Sequence, residues 1–500
     1  MEKYITTYMQ YRKKIIAFRY VDWLINWDQK TQAPPESASF RAEQVEVLSE
    51  MYFELRKNQE FLDTVEYLVK NNHKIKDEIL REDVKKIDKE LRVMRYVPLN
   101  EYVEYQVVLA QSTKIWQEAR ELNDFNHFVP SLEKLVEYNK RIIELFETDT
   151  LKGYDVLLDI YEEGSSVAFY DNFFENLKNE LVPFVMEVTK GRKIQFNRKL
   201  SSRKYPIVLQ KEFSKYLIKV FEYDLSRGAI RDTIHPFSSG ISTDDIRITS
   251  DYYEDRFVKS ISSVMHEIGN ALYDQNNDKV FNGTFLFGSP TYGMHESQSR
   301  MYENMIGKSY AFWSRHYPKL LELFPKQLSG IDVDEFYEYI NQVKRSKVRI
   351  DADELTYPLH IMVRYEVEKE IFQNKLKVRD IPRRWRTLMA KYVGVKPTND
   401  LEGPLQDIHW AIGSFGYFPA YALGSAYAAQ LYHAMNQEFD VESAIENESI
   451  FTINNWLKDN VNRFGAFKSS EKILLDATGE NFNPQYYIEY LKTKFIKLKD

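Results

Sequence analysis

Helix-breaking residues are scarce along this chain, and their scarcity limits what it can fold into. The 500 residues include 18 glycines and 16 prolines, whereas average usage of the two together is ~12%. No Pro/Gly/Ser-rich linker, low-complexity run or fixed-period repeat divides the sequence. A prior of ~150 residues per domain would give about three domains, but segments without breakers run on as long helices. We therefore expect a mainly α-helical protein that forms a single large body over residues 1–500.

Composition also excludes several classes of function. The chain carries 68 basic and 75 acidic residues with a net charge of -7, so it lacks the basic excess that a nucleic-acid partner requires. It has no cysteine, which rules out disulfides and thiolate chemistry. Neither a run of about 18 apolar residues nor an apolar signal-peptide core is present. We expect a soluble, cytoplasmic protein that binds no membrane; abundant Glu and Lys without Cys is compatible with thermostability.

One segment has the periodicity of a buried helix. Apolar residues recur in it at spacings of three and four, namely Phe257, Ile261, Val264, Met265, Ile268 and Leu272. Such a stripe predicts an amphipathic helix and does not alternate as a strand would. His266 and Asn270 lie four positions apart at the border of the stripe, so both side chains point to the same face.

The chemistry of this face depends on residue 270. With a histidine there, the face would carry the HExxH arrangement of zinc peptidases, with Glu267 as general base. The sequence has Asn270 instead. Glu296 lies 30 positions after His266, enough chain for a loop and a return helix that begins near Gly293. Two His and one Glu hold catalytic zinc, whereas this chain offers one His, one Asn and one Glu; taken alone, such short pairs more often mark helix surface.

The rest of the chain is predicted to be helical with a few extended stretches. A helix over residues 20–29 ends at the pair Pro34-Pro35, and residues 77–146 form long charged helices with a break at Pro98. DIRIT at 245–249 alternates as a half-buried strand would, and VRIDAD at 348–353 has a similar pattern. A small β-sheet beside the predicted HExxH-type helix would line a substrate cleft, because a strand edge can pair with an extended peptide.

Ordered motifs extend over nearly the whole chain. They are WDQ at 27–29, PP at 34–35, RAEQ at 41–44, HPF at 235–237, DIRIT at 245–249, HEIGN at 266–270, HES at 295–297, VRIDAD at 348–353, GPLQDIHW at 403–410 and FGYFPAY at 415–421. Each motif is weak alone, but their common order is highly specific. The sequence resembles the carboxypeptidase Taq family, with Asn270 in place of the second His of its HExxH motif.

The resemblance implies a nearly all-helical metallocarboxypeptidase with a deep groove, commonly a homodimer. Such an enzyme releases single residues from peptides with a free C-terminus, with broad specificity. Residues 1–230 would form a mostly helical N-terminal part that covers the groove, and residues 231–500 the catalytic part. Zinc or cobalt would be bound by His266, Asn270 and Glu296. Glu267 would act as general base.

Recognition of the free carboxylate is expected to fall to Arg349. A guanidinium can donate two parallel hydrogen bonds to a carboxylate and stays charged at any working pH. The alternative interpretation of Arg349 is a structural ion pair with Asp351 or Asp353.

Other polar side chains of the matching motifs have further expected roles. His409, Tyr417 and Tyr421 are candidate donors to the developing oxyanion, a role worth roughly 3–4 kcal/mol per donor, and spacing does not choose between the tyrosines. His295 should point about 100° away from Glu296 on a helix and so contact substrate.

Five more residues are expected to act indirectly. Gln406, Asp407 and Glu303 are candidates for outer groups that orient a metal ligand. His235 and Arg247 belong to matching motifs, and buried structural hydrogen bonding is the expected role of both.

Asn270 puts the activity of this chain in doubt. An amide oxygen is a poorer zinc ligand than imidazole. Even the loss of a group that only hydrogen-bonds to a metal ligand reduces metal affinity or activity by roughly 10–100-fold. Asn270 is an engineered change, a natural divergence, or part of a site completed by another group such as Asp274. We expect a weakly occupied or empty metal site. The alternatives are a non-catalytic peptide-binding protein on the same scaffold, or a helical protein with fortuitous His-Glu pairs.

Overall fold

The computed structural model describes residues 1–190, 198–447 and 450–498. Helices dominate it, as the scarcity of breakers predicted. The helices before the sheet are α1 (Glu2–Thr31), α2 (Ala38–Lys57), α3 (Gln59–Lys70), α4 (Glu78–Glu90), α5 (Arg92–Tyr96), α6 (Leu99–Leu122), α7 (Phe125–Phe146), α8 (Asp155–Tyr161), α9 (Val167–Val188), α10 (Arg198–Ser201) and α11 (Ile207–Val220). Those after it are α12 (Phe257–Gln275), α13 (Tyr292–Arg300), α14 (Tyr310–Leu323), α15 (Val333–Ile340), α16 (Tyr357–Phe372), α17 (Ile381–Tyr392), α18 (Pro419–Glu438), α19 (Val441–Asn447), α20 (Phe451–Asn460), α21 (Ser470–Thr478) and α22 (Gln485–Lys497).

The predicted helices agree with these elements in type more closely than in length. Helix α1 ends before the proline pair, and α12 spans the whole apolar stripe. Residues 77–146 contain two breaks besides Pro98, at Leu91 and at Asn123. Asn123 closes α6 with a φ of 52°, a left-handed conformation that asparagine tolerates at a helix end.

A small sheet lies beside α12, as expected. Its strands are β1 (Gly228–Asp232), β2 (Ser238–Ser242) and β3 (Asp245–Ser250), in the order β1-β3-β2. Strand β3 pairs in parallel with β1 and antiparallel with β2, and Ile246 and Ile248 of β3 face the core with no exposed surface. The predicted strand at 245–249 is therefore confirmed.

The predicted strand at 348–353 is wrong. Arg349–Asp351 form a single 3₁₀ turn. The carboxylate of Asp353 accepts the backbone N–H groups of Lys344, Leu355 and Thr356, and the Gln406 side chain accepts that of Arg349. Within the segment, the Arg349 backbone N–H thus donates to a side chain and not to a neighbouring strand, and an alternating sequence alone does not reveal this.

Two hydrophobic cores are present. The larger one extends from Val108 to Phe495, and the smaller one joins α1, α3 and α4 around residues such as Tyr8 and Val65. Phe285, in the segment between α12 and α13, inserts into the smaller core, and its backbone N–H donates to the fully buried Asp83 carboxylate. The N-terminal helices are thereby anchored to the connection between the two helices that carry His266 and Glu296.

A buried carboxyl group on α16 stabilises the region behind the 403–421 motifs. Glu368 accepts hydrogen bonds from the Tyr154 hydroxyl at 2.5 Å, the Trp410 indole N–H at 2.7 Å and the Gly416 backbone N–H at 2.7 Å. Burial raises the pKa of Glu368 to about 7, and these three donors offset part of the rise.

We expect Glu368→Gln to change the pH dependence of stability. A carboxyl group with a raised folded-state pKa contributes most below its unfolded value, near 4.5, and loses that contribution as pH rises through about 7. The unfolding free energy of the wild type should therefore fall relative to the variant by about 1 kcal/mol per pH unit in this window. Urea unfolding of both proteins at pH 5, 6 and 7 measures the difference, and a constant difference would contradict the expectation.

Candidate active site

Close backbone contacts fix the two helices of the site. Helix α13 packs against both α12 and α18. A Cβ atom on Gly269 of α12 would lie 2.7 Å from the carbonyl oxygen of Gln298, and one on Gly424 of α18 would lie 2.6 Å from the Cβ of Glu296. These contacts allow α13 to lie so near α12 that His266 Nε2 is 3.7 Å from Glu296 Oε2.

His266 is held by a carboxylate on its other ring nitrogen. Its Nδ1 lies 2.9 Å from Oε2 of Glu303, in the π-helical turn Met301–Ile306 that follows α13. Burial opposes a charge on His266, but Glu296, Glu303 and Glu267 outweigh it and raise its pKa to about 9. A carboxylate on Nδ1 fixes the orientation of the ring and leaves Nε2 for the site.

Glu296 and Glu303 both form ion pairs with the buried side chain of Arg300. Arg300 donates from Nε to Glu296 Oε1 at 2.7 Å and from Nη1 to Glu303 Oε2 at 3.2 Å, and its guanidinium stacks on Tyr357. The Ser299 hydroxyl donates to Glu296 Oε2 at 2.9 Å. Both carboxylate oxygens of Glu296 therefore have partners within the protein.

Glu267 and Asn270 are both buried on the same helix. Burial raises the pKa of Glu267, while the charge of His266 and a hydrogen bond from the Asn270 side chain oppose the rise. Among the described residues, Asn270 Oδ1 has no hydrogen-bond partner, and the same holds for Oδ1 of Asp274 one turn later. That Asp274 oxygen lies 3.6 Å from His295 Nε2, which is too long for a good hydrogen bond.

The donor atoms can be compared with those of a catalytic zinc site. Such a site takes three protein ligands from imidazole, carboxylate and thiolate groups. Within the described ranges, no group of three or more such side chains is arranged to hold a metal ion. His266 and Glu296 supply two suitable donors, and the third position supplies the unpartnered amide oxygen of Asn270. The residues present therefore do not fit a zinc ion of this kind.

A cavity of about 280 Å³ lies beside these helices. Its lining includes His266, Glu267, Arg300, Arg349 and Tyr357. Cationic and acidic groups thus face one cavity, which is large enough for part of a peptide. The arginines that line it lie on the same cavity as Glu267, the predicted general base.

Arg349 forms an ion pair, but with neither of the expected partners. Its Nε donates to Asp407 Oδ1 at 2.9 Å and its Nη1 to the Tyr357 hydroxyl at 3.0 Å. Asp407 also accepts from Nε of Arg364, at 2.7 Å, and the Arg364 side chain has no exposed surface. The alternative pairing with Asp351 or Asp353 was wrong because residues 349–351 turn towards the segment of Asp407.

The cluster of Arg349, Arg364 and Asp407 carries a net positive charge. Two guanidiniums, Arg349 and Arg364, share the single carboxylate of Asp407, whose pKa they hold well below its usual range against the effect of burial. One positive charge is left over beside the cavity. Gln406 accepts from the Arg349 backbone and from the Arg364 side chain. Gln406 and Asp407 therefore orient arginines and not a metal ligand. Of the three candidates for that role, Glu303 is the one that contacts His266.

The predicted oxyanion donors lie together near Glu296. The Tyr421 hydroxyl is 3.2 Å from His409 Nε2, its ring is 5.2 Å from the Arg349 guanidinium, and the rings of Tyr417 and Tyr421 are 5.0 Å apart. Burial lowers the pKa of His409 to about 4, so the imidazole is neutral at pH 7. Desolvation raises the pKa of both tyrosines, which keeps their hydroxyls protonated and able to donate.

The expected roles of His295, His235 and Arg247 have different outcomes. His295 packs against Tyr273 with ring centroids 5.7 Å apart, and its contact with substrate stays a prediction. His235 is exposed, so buried structural hydrogen bonding was wrong for it. Arg247 is partly buried, pairs with Asp245 at 2.7 and 2.8 Å, and lies over Trp23 at 4.6 Å, which is a structural role.

Sequence reasoning missed the buried arginines. Arg300 follows Glu296 by four residues, a spacing that brings opposite charges together on a helix, and this signal was available. Arg364 reaches Asp407 from a position 43 residues away. The sequence around Arg364 looks the same as that around an exposed arginine on a helix, so it does not predict that Arg364 is buried.

A helical body, a small sheet and a His-Glu helix packed on a Glu-bearing helix define a metallopeptidase scaffold. The model of the family "Carboxypeptidase Taq (M32) metallopeptidase" matches residues 7–495, and the chain belongs to this family. Carboxypeptidase 1 of Bacillus subtilis is 38% identical over 492 residues, which are 97% of both chains. Thermostable carboxypeptidase 1 of Pyrococcus furiosus is 32% identical over 486 residues, again 97% of both chains.

Solved structures agree with this assignment. Pyrococcus furiosus carboxypeptidase superimposes with a TM-score of 0.94 at 31% identity, covering 99% of each chain. The M32 carboxypeptidase of Deinococcus radiodurans gives 0.93 at 30% identity, also covering 99% of each chain. Within the described ranges, none of the helices combines the length and apolar character needed to cross a bilayer.

Proposed function

We propose that this chain is a carboxypeptidase that releases single C-terminal residues from peptides with broad specificity, and that Asn270 impairs its metal-dependent hydrolysis. One observation carries the proposal: His266, Glu267 and Arg349 line one cavity. A proton acceptor and a cation that can bind a free carboxylate thus face the same space. Family membership supports the reaction class, and the donor set at residue 270 supports the impairment.

The side chains of this chain have distinct roles in the proposal. Arg349 binds the substrate carboxylate with the positive charge that Asp407 leaves unbalanced. Glu267 accepts a proton from the attacking water, a role that its burial and raised pKa favour. Tyr421 and Tyr417 donate to the developing oxyanion, and His409 holds the Tyr421 hydroxyl. A metal ion would polarise the scissile carbonyl in the family reaction, and the donor set here is unsuited to zinc.

The remaining parts of the proposal come from the family resemblance. They are zinc or cobalt as the family metal, a homodimer as the assembly, and a cytoplasmic protein with a groove covered by residues 1–230. Peptides with a free C-terminus are the proposed substrates.

Hydrolysis of a blocked dipeptide with and without a chelator tests the proposal. We expect slow release of the C-terminal residue that the chelator abolishes. Release that persists unchanged in chelator would contradict a metal-dependent reaction. The unpartnered Asn270 oxygen favours a second candidate, a non-catalytic peptide-binding protein; in that case the dipeptide binds in chelator and is not hydrolysed under any condition.

We expect Arg349→Gln to abolish the distinction between free and amidated C-termini. Hydrogen bonds to charged groups contribute roughly 1.5–3 kcal/mol, so the wild type should bind a peptide acid about 10–100-fold more tightly than its amide. Calorimetric titration with the acid and the amide measures the ratio. The ratio should fall close to one in the variant.

A matched control separates recognition from general charge. Arg383 of α17 is exposed and pairs with Asp380, directly before that helix, across 3.3 Å. Arg383→Gln removes the same charge at a distance from the cavity and should leave the acid-to-amide ratio unchanged. An unchanged ratio in Arg349→Gln would remove Arg349 from the proposed carboxylate site.

A further inference from the structure

A lysine of the C-terminal helix is buried beside the cavity of the candidate active site. Lys494 of α22 donates from Nζ to Glu354 Oε2 at 2.7 Å, and the two side chains are only 8% and 4% exposed. The Tyr490 hydroxyl, one turn earlier on α22, donates to the other Glu354 oxygen at 2.7 Å and accepts from Lys494 at 3.2 Å. Because both charges lose their water, a buried ion pair often adds little net stability, and it can instead fix the segments that it joins.

Lys494 also contacts the π-helical turn that follows α13. Its Nζ donates to the carbonyl oxygen of Asn304 in this turn at 3.3 Å. The last carbonyl groups of a helix have no partner within it, so a side chain from another helix can bind there. The residue before Asn304 is Glu303, which contacts both His266 and Arg300. Lys494 therefore holds the turn that carries Glu303.

The partner of Lys494 belongs to a different wall of the cavity. Glu354 lies three residues before Tyr357, the first residue of α16. The Tyr357 hydroxyl accepts from Arg349 Nη1 at 3.0 Å, and the guanidinium of Arg300 lies over the Tyr357 ring at 4.6 Å. Tyr357 thus contacts both the arginine that binds the peptide carboxylate in the proposed function and the arginine that pairs with Glu303.

These contacts form a closed path along one side of the cavity. Its members, in order, are Lys494, Asn304 with its neighbour Glu303, Arg300, Tyr357 and Glu354. Asn304, Tyr357 and Glu354 line the cavity, and the buried ammonium of Lys494 joins the first of them to the last. Lys494 therefore acts on a bound peptide through the residues that it holds.

We propose that Lys494 is a positioning residue that joins two walls of the cavity and thereby sets the preference of the cavity for peptides with a free C-terminus. Without this contact, the turn of Asn304 and the segment before α16 can move apart, and Tyr357 no longer holds the Arg349 guanidinium in place. A misplacement of about 1 Å can cost ~100-fold. The inference rests on the proposed function, because it uses Arg349 as the group that binds the peptide carboxylate.

Calorimetric titration of two variants with a peptide acid and its amide tests the inference. Lys494→Met leaves the Glu354 carboxylate without its ammonium partner. We expect a lower midpoint of urea unfolding and an acid-to-amide binding ratio about tenfold below that of the wild type. The double variant Lys494→Met/Glu354→Gln removes both charges of the pair. Its midpoint should return towards the wild-type value, because the buried carboxylate is gone, whereas its binding ratio should stay low, because the walls are still not joined.

The two measurements separate positioning from a contribution to stability alone. If the double variant recovers the binding ratio together with the midpoint, Lys494 is only a counter-charge for Glu354, and the inference is overturned. A wild-type ratio in Lys494→Met overturns it as well. Should Lys494→Met fail to fold, the comparison of the double variant with the wild type decides by the same criterion.

Lys492→Met provides the control on the same helix. Lys492 pairs with Glu180, and both side chains are partly exposed, so its loss should change neither the midpoint nor the ratio. A ratio that falls equally in Lys492→Met and Lys494→Met would overturn the inference. Equal binding of acid and amide by the wild type would refute the carboxylate site of Arg349 and the inference with it. Normal selectivity in the wild type with an unchanged ratio in Lys494→Met would refute the inference alone.

Discussion

Asn270→His should raise the zinc content of the purified protein to about one ion per chain and its release of C-terminal residues by about 100-fold or more. The change supplies the third suitable ligand on the face that already carries His266. Asp274, one turn further on, has a buried Oδ1 with no hydrogen-bond partner among the described residues. An imidazole at 270 therefore has an acceptor within reach on the same helix face, which would fix its orientation. Elemental analysis and hydrolysis of a blocked dipeptide measure both gains.

The control for this variant is Asn276→His at the end of α12. It adds the same side chain outside the site and should change neither zinc content nor turnover. If Asn270→His gained neither zinc nor activity, the interpretation of a damaged metal site would be refuted. A gain in zinc without a gain in turnover would place the defect elsewhere in the catalytic machinery.

Asp407→Asn should destabilise the protein by about 3–5 kcal/mol, because it leaves two buried guanidiniums without a counter-charge. The side chains of Arg364 and Arg349 are 0% and 11% exposed, so solvent cannot replace the carboxylate. The midpoint of urea unfolding measures the loss. Binding of a peptide acid should weaken as well, since Asp407 orients the guanidinium of Arg349.

The matched control is Asp380→Asn, at the residue directly before α17. Its partner Arg383 is 83% exposed, and exposed ion pairs contribute only about 0–1 kcal/mol. The two substitutions remove the same charge from an Arg-Asp pair and differ chiefly in burial. Equal, small shifts in both variants would show that the cluster of Asp407 is not a stabilising charge network.

The sequence predicted the parts of this structure that follow local periodicity. The stripe from Phe257 to Leu272 predicted α12, and alternation predicted β3. The return of Glu296 to His266 followed from chain length and the HExxH pattern. Family motifs then extended the prediction over the whole chain, because their order survives where individual residues differ.

What the sequence did not predict depends on contacts between distant segments. Residues 348–353 alternate like a strand, yet the Gln406 side chain accepts the backbone N–H of Arg349, and Asp353 accepts backbone N–H groups from residues on either side of the segment. Asp407 pairs with Arg349 and Arg364 from 58 and 43 residues away. Pairings of this kind depend on how helices pack, and a single sequence does not record them.

The close contacts of Gly269 and Gly424 with α13 have a consequence for the history of this site. Three helix backbones hold its shape, so the loss of one ligand need not distort what surrounds it. Asparagine and histidine codons differ by a single base. A change between these two residues therefore needs one base substitution and no rearrangement of the backbone contacts that Gly269 and Gly424 make with α13.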